Sequence, residues 1–279
     1  MAQAPEAVTG AARAFLLALR QGGRSEGTLR RYRRVLDDLL DGGLAQALGD
    51  EEASPATRRL RHAVLSRFFR WAVAEGLLQA NPLANRPPPR LHEQVPRSLP
   101  ADELSRLGEA VRAQPLRIRA LFTLILECGL REAEATALRV RDVDLSTRGQ
   151  EGVRVRGKGG KERFVPLPPG YESRALLRRL AAGRDGAEFV FTARGGMPLT
   201  TSAVRKAWAR IRRAAGVDGY SVHSLRHTAA TRMLERTGDL QLVSRLLGHS
   251  SVAVTARYTL RGDSALRRAM EDAGGGWRR

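Results

Sequence analysis

Six residues of this 279-residue chain have types and an order that suit phosphodiester chemistry: Arg131, Lys158, His223, Arg226, His249 and Tyr258. Breaking a phosphodiester needs a nucleophile, cations on the non-bridging oxygens and an acid for the leaving 5′ oxygen. Tyr258 can attack phosphorus and store the bond covalently. An unperturbed phenol titrates at about 10, so surrounding cations must favour its phenolate. Arg131 and Arg226 can each donate two hydrogen bonds to a phosphate. Arg226 lies one helical turn from His223, so the two face the same way. His223 and His249 complete the ring of donors or move protons. Lys158, on the tip of a predicted hairpin, is placed to protonate the leaving oxygen. Each has a plainer reading alone: a helix tyrosine is usually core, an arginine after Gly129 usually surface, and a histidine in Leu-Gly-His-Ser a helix-end donor.

Two other patterns fail on context. Gly152-Val-Arg-Val-Arg-Gly157-Lys158 fits the first seven places of a phosphate-binding loop, but the eighth is Gly159 instead of Ser or Thr. The intervening residues alternate as a strand, and no helix follows. His223, His227 and His249 suggest a zinc triad, but Ser224 stands where a two-histidine hydrolase helix carries Glu, and Arg226 puts fixed positive charge beside the metal. We expect no metal and no cofactor.

Composition fits a polyanionic partner. The formal net charge is +19, and hydrophobic residues make up 42%, enough for a packed core. Nearly all the positive charge is arginine, which forks onto phosphate oxygens; the lysines are Lys158, Lys161 and Lys206. Cys128 is the one cysteine, so no intrachain disulfide forms. The first twenty residues carry no signal pattern, and the longest apolar stretch, Leu121 to Leu126, is too short for a bilayer. The expected location is cytoplasmic, away from membranes.

Those residues need elements to hold them. The N-terminal third reads as helices. Ala11 to Arg20 carries Phe15, Leu16 and Leu19; Ser25 caps a helix to about Leu40, with Tyr32, Leu36, Leu39 and Leu40 inward; Ser54-Pro55 opens another to about Glu75, with Leu60, Val64, Phe68 and Trp71 on one face. Arginines gather on these last two helices, and Arg30, Arg31, Arg34, Arg58, Arg59, Arg61 and Arg67 are the candidate DNA-binding set. Residues 86–98, with Pro87-Pro88-Pro89, read as an extended linker reaching roughly 40 Å. Beyond it, helices are expected from Pro100, over Leu116–Cys128 and Arg131–Leu138. A hairpin spans Gly152–Arg156 and Glu162–Leu167, with a third strand at Glu188–Phe191, then helices at 171–181, 201–215, 224–236, 239–247 and 251–258.

The second domain resembles the catalytic domain of the tyrosine recombinase (phage integrase) family. The motifs are Cys128-Gly-Leu-Arg131-Glu-Ala-Glu134, Gly157-Lys-Gly-Gly-Lys-Glu-Arg163 with Val165-Pro-Leu167, His223-Ser-Leu-Arg-His-Thr228, Leu247-Gly-His-Ser250 and Tyr258. Residues 99–262 carry the likeness, and residues 7–85 are similar to the family's N-terminal core-binding domain, here with room for at most a short helix between Asp41 and Ser54. The resemblance is to two-domain, Xer-like members. It implies a mainly α fold with a small antiparallel β-sheet, arranged as a two-domain C-shaped DNA clamp: residues 1–85 the helical core-binding domain, 86–98 the linker, 99–279 the catalytic domain and tail. It assigns catalysis to the six residues above, with Glu134 as a supporting carboxylate; His227 matches a common family residue too, and we read it as structural. It further implies a 3′-phosphotyrosyl intermediate on Tyr258, a free 5′ hydroxyl and a Holliday junction, without ATP or metal. The partners are double-stranded DNA and three further protomers, as a homotetramer or a heterotetramer with a paralogous recombinase. The task is chromosome dimer resolution or mobile-element integration and excision. Relaxation of supercoils is a side activity of the same chemistry. The tail from Ala265 to Met270 packs on a neighbour or on its own domain. A DNA-binding protein that no longer cuts is the reading from another class; it leaves an intact Tyr258 and its cations unexplained.

Overall fold

The computed structural model describes residues 5–49, 53–90, 98–146, 151–157 and 162–248. The chain divides into two compact units, Met1–Gln94 and Val95–Arg279, each with its own apolar core.

The first unit is helical: α1 (Pro5–Gln21), α2 (Glu26–Leu48) and α3 (Pro55–Ala74). The predicted caps are in place, Ser25 Oγ accepting from Thr28 N and Ser54 Oγ from Thr57 N, both at 3.3 Å. Helix α2 is broken at Gly43, whose φ of 76° and ψ of −171° are not helical. The residues beyond it form the short extra helix for which the sequence left room. Phe15 centres the core, its ring centroid 5.8 Å from Tyr32, 5.5 Å from Phe68 and 5.1 Å from Trp71. Two inward assignments are corrected: Leu40 is 39% exposed and Leu60 42%. Each helical residue turns about 100° from the last, and Leu40 rotates out of the stripe that buries Leu36 and Leu39. The start of the expected linker lies against α3, where the Arg86 carbonyl pairs with His62 Nε2 at 2.8 Å and the Pro89 carbonyl accepts from Arg59 Nη1 at 3.1 Å.

The second unit is mainly α with a small antiparallel sheet. It runs α4 (Ala101–Arg112), α5 (Leu116–Cys128), α6 (Glu132–Thr136), β1 (Val143–Asp144), β2 (Gly152–Arg156), β3 (Glu162–Pro166), α7 (Glu172–Ala181), α8 (Thr201–Ala215), α9 (Val222–Thr237) and α10 (Leu240–Leu247). Helix α5 is the centre, packed by α4, α6, α7 and α9. That is why its middle is apolar around the single Thr123: Leu121, Phe122, Leu124 and Ile125 are all buried. The sheet order is β1-β2-β3, and Val153 pairs with Val165 and Val155 with Arg163. The strand expected at Glu188–Phe191 is corrected: the third strand is β1. Residues 188–191 instead make a lone bridge from Phe189 to Arg139, and Val190 and Phe191 are both buried, without the alternation of a two-faced strand. Helix α9 starts two residues earlier than expected, which puts His223 in its first turn. The helix expected at 251–258 lies outside the described residues.

Candidate active site

Arg131 precedes α6, and Glu134 folds back toward it. Glu134 Oε2 accepts the Arg131 backbone N–H at 2.9 Å, and Oε1 accepts Arg131 Nη1 at 2.7 Å. The first contact is the carboxylate half of a capping box; the second grips the same residue's guanidinium. Arg163, from β3, takes the other acceptor positions, Nη1 to Oε1 at 3.1 Å and Nη2 to Oε2 at 2.8 Å. Arg226, from α9, brings Nη1 to 3.8 Å from Oε2. Three guanidinium groups around one carboxylate leave a net charge of +2. Burial opposes ionisation of Glu134, but the hydrogen bonds from Arg163 and Arg131 outweigh it and hold its pKa down to about 2.

The same arginines satisfy a helix end. The last carbonyls of an α-helix have no partners within it and carry partial negative charge. At the end of α10, Leu246 O accepts from Arg163 Nε at 2.9 Å, and Leu247 O from Arg226 Nη2 at 2.7 Å and Arg131 Nη1 at 3.4 Å. Arg226 Nη1 also donates to Gly129 O at 2.5 Å. Two glycines permit this closeness. Gly129 and Gly248 have φ of 63° and 62°, and a Cβ would stand 2.9 Å from Leu247 Cδ2 and from Arg163 Cδ, respectively.

His223 packs edge-on against His227, ring centroids 4.4 Å apart. Burial, then the charges of Arg226 and Arg131, lower its pKa from the usual histidine range. At neutral pH the ring is uncharged, with one donor and one acceptor nitrogen. Among the described residues, no group of three or more His, Cys, Asp or Glu side chains is arranged to hold a metal ion.

The structure therefore brings together Arg131, Glu134, His223 and Arg226. Lys158, His249 and Tyr258 lie outside the described residues, which reach Gly248. Sequence reasoning gave Arg163, the last residue of the hairpin motif, no role of its own. Its signal was its strand phase: it alternates with Val165 and Leu167, on the face that turns inward. In the first unit, Arg30, Arg31 and Arg34 are exposed on α2, Arg59 is exposed on α3, and Arg58 and Arg67 are half-buried, with Arg67 6.0 Å over the Tyr32 ring. Arg61 is committed to the fold. Its Nη1 donates to Gln46 O and Ala47 O at 2.9 and 3.3 Å, and its Nη2 pairs with Asp38 at 3.0 Å.

The family model described as "Phage integrase family" matches residues 97–264, which contain this whole arrangement. The chain belongs to the phage integrase family. Tyrosine recombinase XerC of Rhodospirillum centenum is 38% identical over 217 residues, covering 74% of this chain and 62% of that protein. Tyrosine recombinase XerC of Chromobacterium violaceum is 34% identical over 274 residues, covering 89% of each chain. Among solved structures, a lambda integrase tetramer bound to a Holliday junction superposes with a TM-score of 0.69 at 22% identity, covering 87% of this chain and 77% of that one. This phage integrase family member is thus a tyrosine recombinase, an enzyme that cleaves and rejoins DNA. Among its described residues, no helix is long and apolar enough to cross a membrane.

Proposed function

We propose that this recombinase exchanges strands between two double-stranded DNA sites through a covalent bond to Tyr258. Its hydroxyl proton passes to His223 or His249, the phenolate oxygen attacks phosphorus, the P–O5′ bond breaks, and Lys158 gives a proton to the departing 5′ oxygen. Arg131 and Arg226 neutralise the non-bridging oxygens, His223 and His249 supply further donors or carry protons, and Glu134 orients Arg131. The 5′ hydroxyl of the partner strand then attacks the 3′-phosphotyrosyl bond and releases Tyr258, so the phosphodiester count is conserved without an outside energy source. Two such exchanges pass through a Holliday junction held by four protomers, identical or paired with a paralogue.

The observation that carries this reading is the arginine cluster, in which Arg226 is buried, Arg163 nearly so and Arg131 partly exposed. Arg131, Arg163 and Arg226 converge with a net charge of +2 on one carboxylate and on the end of α10, next to position 249. Such a preorganised cationic pocket suits a phosphorane-like transition state. The first unit, residues 1–85, is read as the core-binding domain. It grips the duplex through Arg30, Arg31, Arg34, Arg58, Arg59 and Arg67, and residues 86–98 join it to the catalytic domain, 99–279. Identity of 34–38% to proteins named XerC favours a Xer-type role in chromosome dimer resolution, in the cytoplasm, over mobile-element integration.

The test is a nicked suicide substrate carrying candidate sites from the host genome, with EDTA and without ATP, read on a denaturing gel. A protein–DNA band that disappears in Tyr258→Phe supports the nucleophile and metal-free chemistry. A band retained in Tyr258→Phe overturns the assignment. DNA binding without any band, across all candidate sites and with cell extract supplying a paralogue, favours a binding protein that does not cut.

A further inference from the structure

Arg163 takes no part in the steps just described, yet its guanidinium is engaged on all three nitrogens: Nε by Leu246 O at 2.9 Å, Nη1 and Nη2 by the two oxygens of Glu134 at 3.1 and 2.8 Å. Its side chain is 13% exposed and stands opposite Val155 in the β2–β3 ladder. The three elements it joins each adjoin a residue of the proposed reaction. Strand β3 begins four residues after Lys158, α6 follows Arg131 directly, and α10 ends two residues before His249. A planar guanidinium can hold a carboxylate with its fork and a carbonyl with Nε at the same time; an ammonium, a single point of charge, cannot. The packing is close on the α10 side, where a Cβ on Gly248 would come within 3.0 Å of Arg163 Nη1.

We propose that Arg163 is a positioning residue for recombination, a strut that sets the guanidinium of Arg131 through Glu134 and the turn into His249 through the Leu246 carbonyl. This rests on the reaction proposed above. A carboxylate offers about four acceptor positions; Arg131 and Arg163 fill them in pairs. Without Arg163, Glu134 has two vacant positions, and Arg226 Nη1 at 3.8 Å is within reach of one. Glu134 then draws Arg226 from the Gly129 and Leu247 carbonyls, and both arginines leave their places.

The experiment uses the full chain with Arg163→Lys and Arg163→Met. Covalent-adduct rates are measured on an ordinary scissile phosphate and on one with sulfur as the bridging 5′ atom. Sulfur leaves without a proton, so it relieves a lost acid at Lys158 but not a disordered phosphate pocket. Both variants should bind DNA, unfold cooperatively and cleave about 10²-fold slower on both substrates, since misplacement of about 1 Å costs this much. Lysine should not rescue, and adding Glu134→Gln to Arg163→Lys should cost little more, because the two act as a unit. Four outcomes would overturn the proposal: a near-normal rate in Arg163→Met, recovery with sulfur, full additivity with Glu134→Gln, or loss of cooperative unfolding in both variants. Wild-type protein that forms no adduct on either substrate sinks the underlying reaction instead.

Discussion

Arg226 Nη2 donates to the carbonyl oxygen of Leu247 at 2.7 Å, from a side chain that is 1% exposed. A guanidinium this deep, tied to Gly129 O as well, holds the end of α5 against the end of α10. Replacement by alanine takes the charged donor from Gly129 O and leaves Leu247 O with the longer bond from Arg131. Arg226→Ala should therefore lose about 3 kcal/mol of stability and about 10²–10³ in cleavage rate. Arg226→Lys should recover part of the stability and little of the rate. Denaturant unfolding and single-turnover adduct formation, measured side by side, check this; Arg226→Ala with wild-type stability would contradict the tie.

Glu134 makes stability depend on acid. Its folded pKa of about 2 lies below the 4.5 of the free side chain, so the unfolded chain binds the proton first as pH falls. The contribution is fully present above about pH 4.5 and is lost as pH falls toward 2. With allowance for solvent screening it amounts to about 2 kcal/mol. Glu134→Gln should accordingly be less stable than wild type at pH 7 and should converge with it through that window. Unfolding curves at a series of pH values test the convergence; a constant gap would contradict it.

The arginines of the first unit should separate into two kinds. Arg61→Ala removes hydrogen bonds to Gln46 O and Ala47 O and the pair with Asp38, and should cost about 1–2 kcal/mol of stability. Arg31→Ala and Arg34→Ala, on exposed positions, should leave stability unchanged, weaken DNA binding and reduce its salt slope by about 1 each. Binding titrations at several salt concentrations and thermal melts distinguish the two; a melt unchanged in Arg61→Ala would return that residue to the DNA-binding set.

The sequence marks α5 to the residue, because a central helix whose middle is buried carries a mostly apolar segment, and Gly129 ends it. Capping gave the starts of α2 and α3, because Ser25 and Ser54 act within one turn. What escaped was non-local. Residues 188–191 have strand composition, but their pairing depends on Arg139, about fifty positions earlier. Arg61 looks like any other arginine of its helix; only the approach of the end of α2 commits it. At the site, residue types and order pointed to Arg131, His223 and Arg226 as candidates, whereas the carbonyls that Arg226 and Arg163 hold depend on where α10 ends, and no local pattern encodes that.

Three arginines from distant parts of the chain close on the carbonyls of Leu246 and Leu247, and this sets an order of assembly. As the protein leaves the ribosome, Arg131 and Arg163 emerge long before α10. Until Leu246 and Leu247 follow them out, the cationic cluster lacks its acceptors at the end of α10. Tyr258 comes later still. A half-made chain therefore carries the charges without their arrangement, and DNA that it meets during synthesis finds no finished blade.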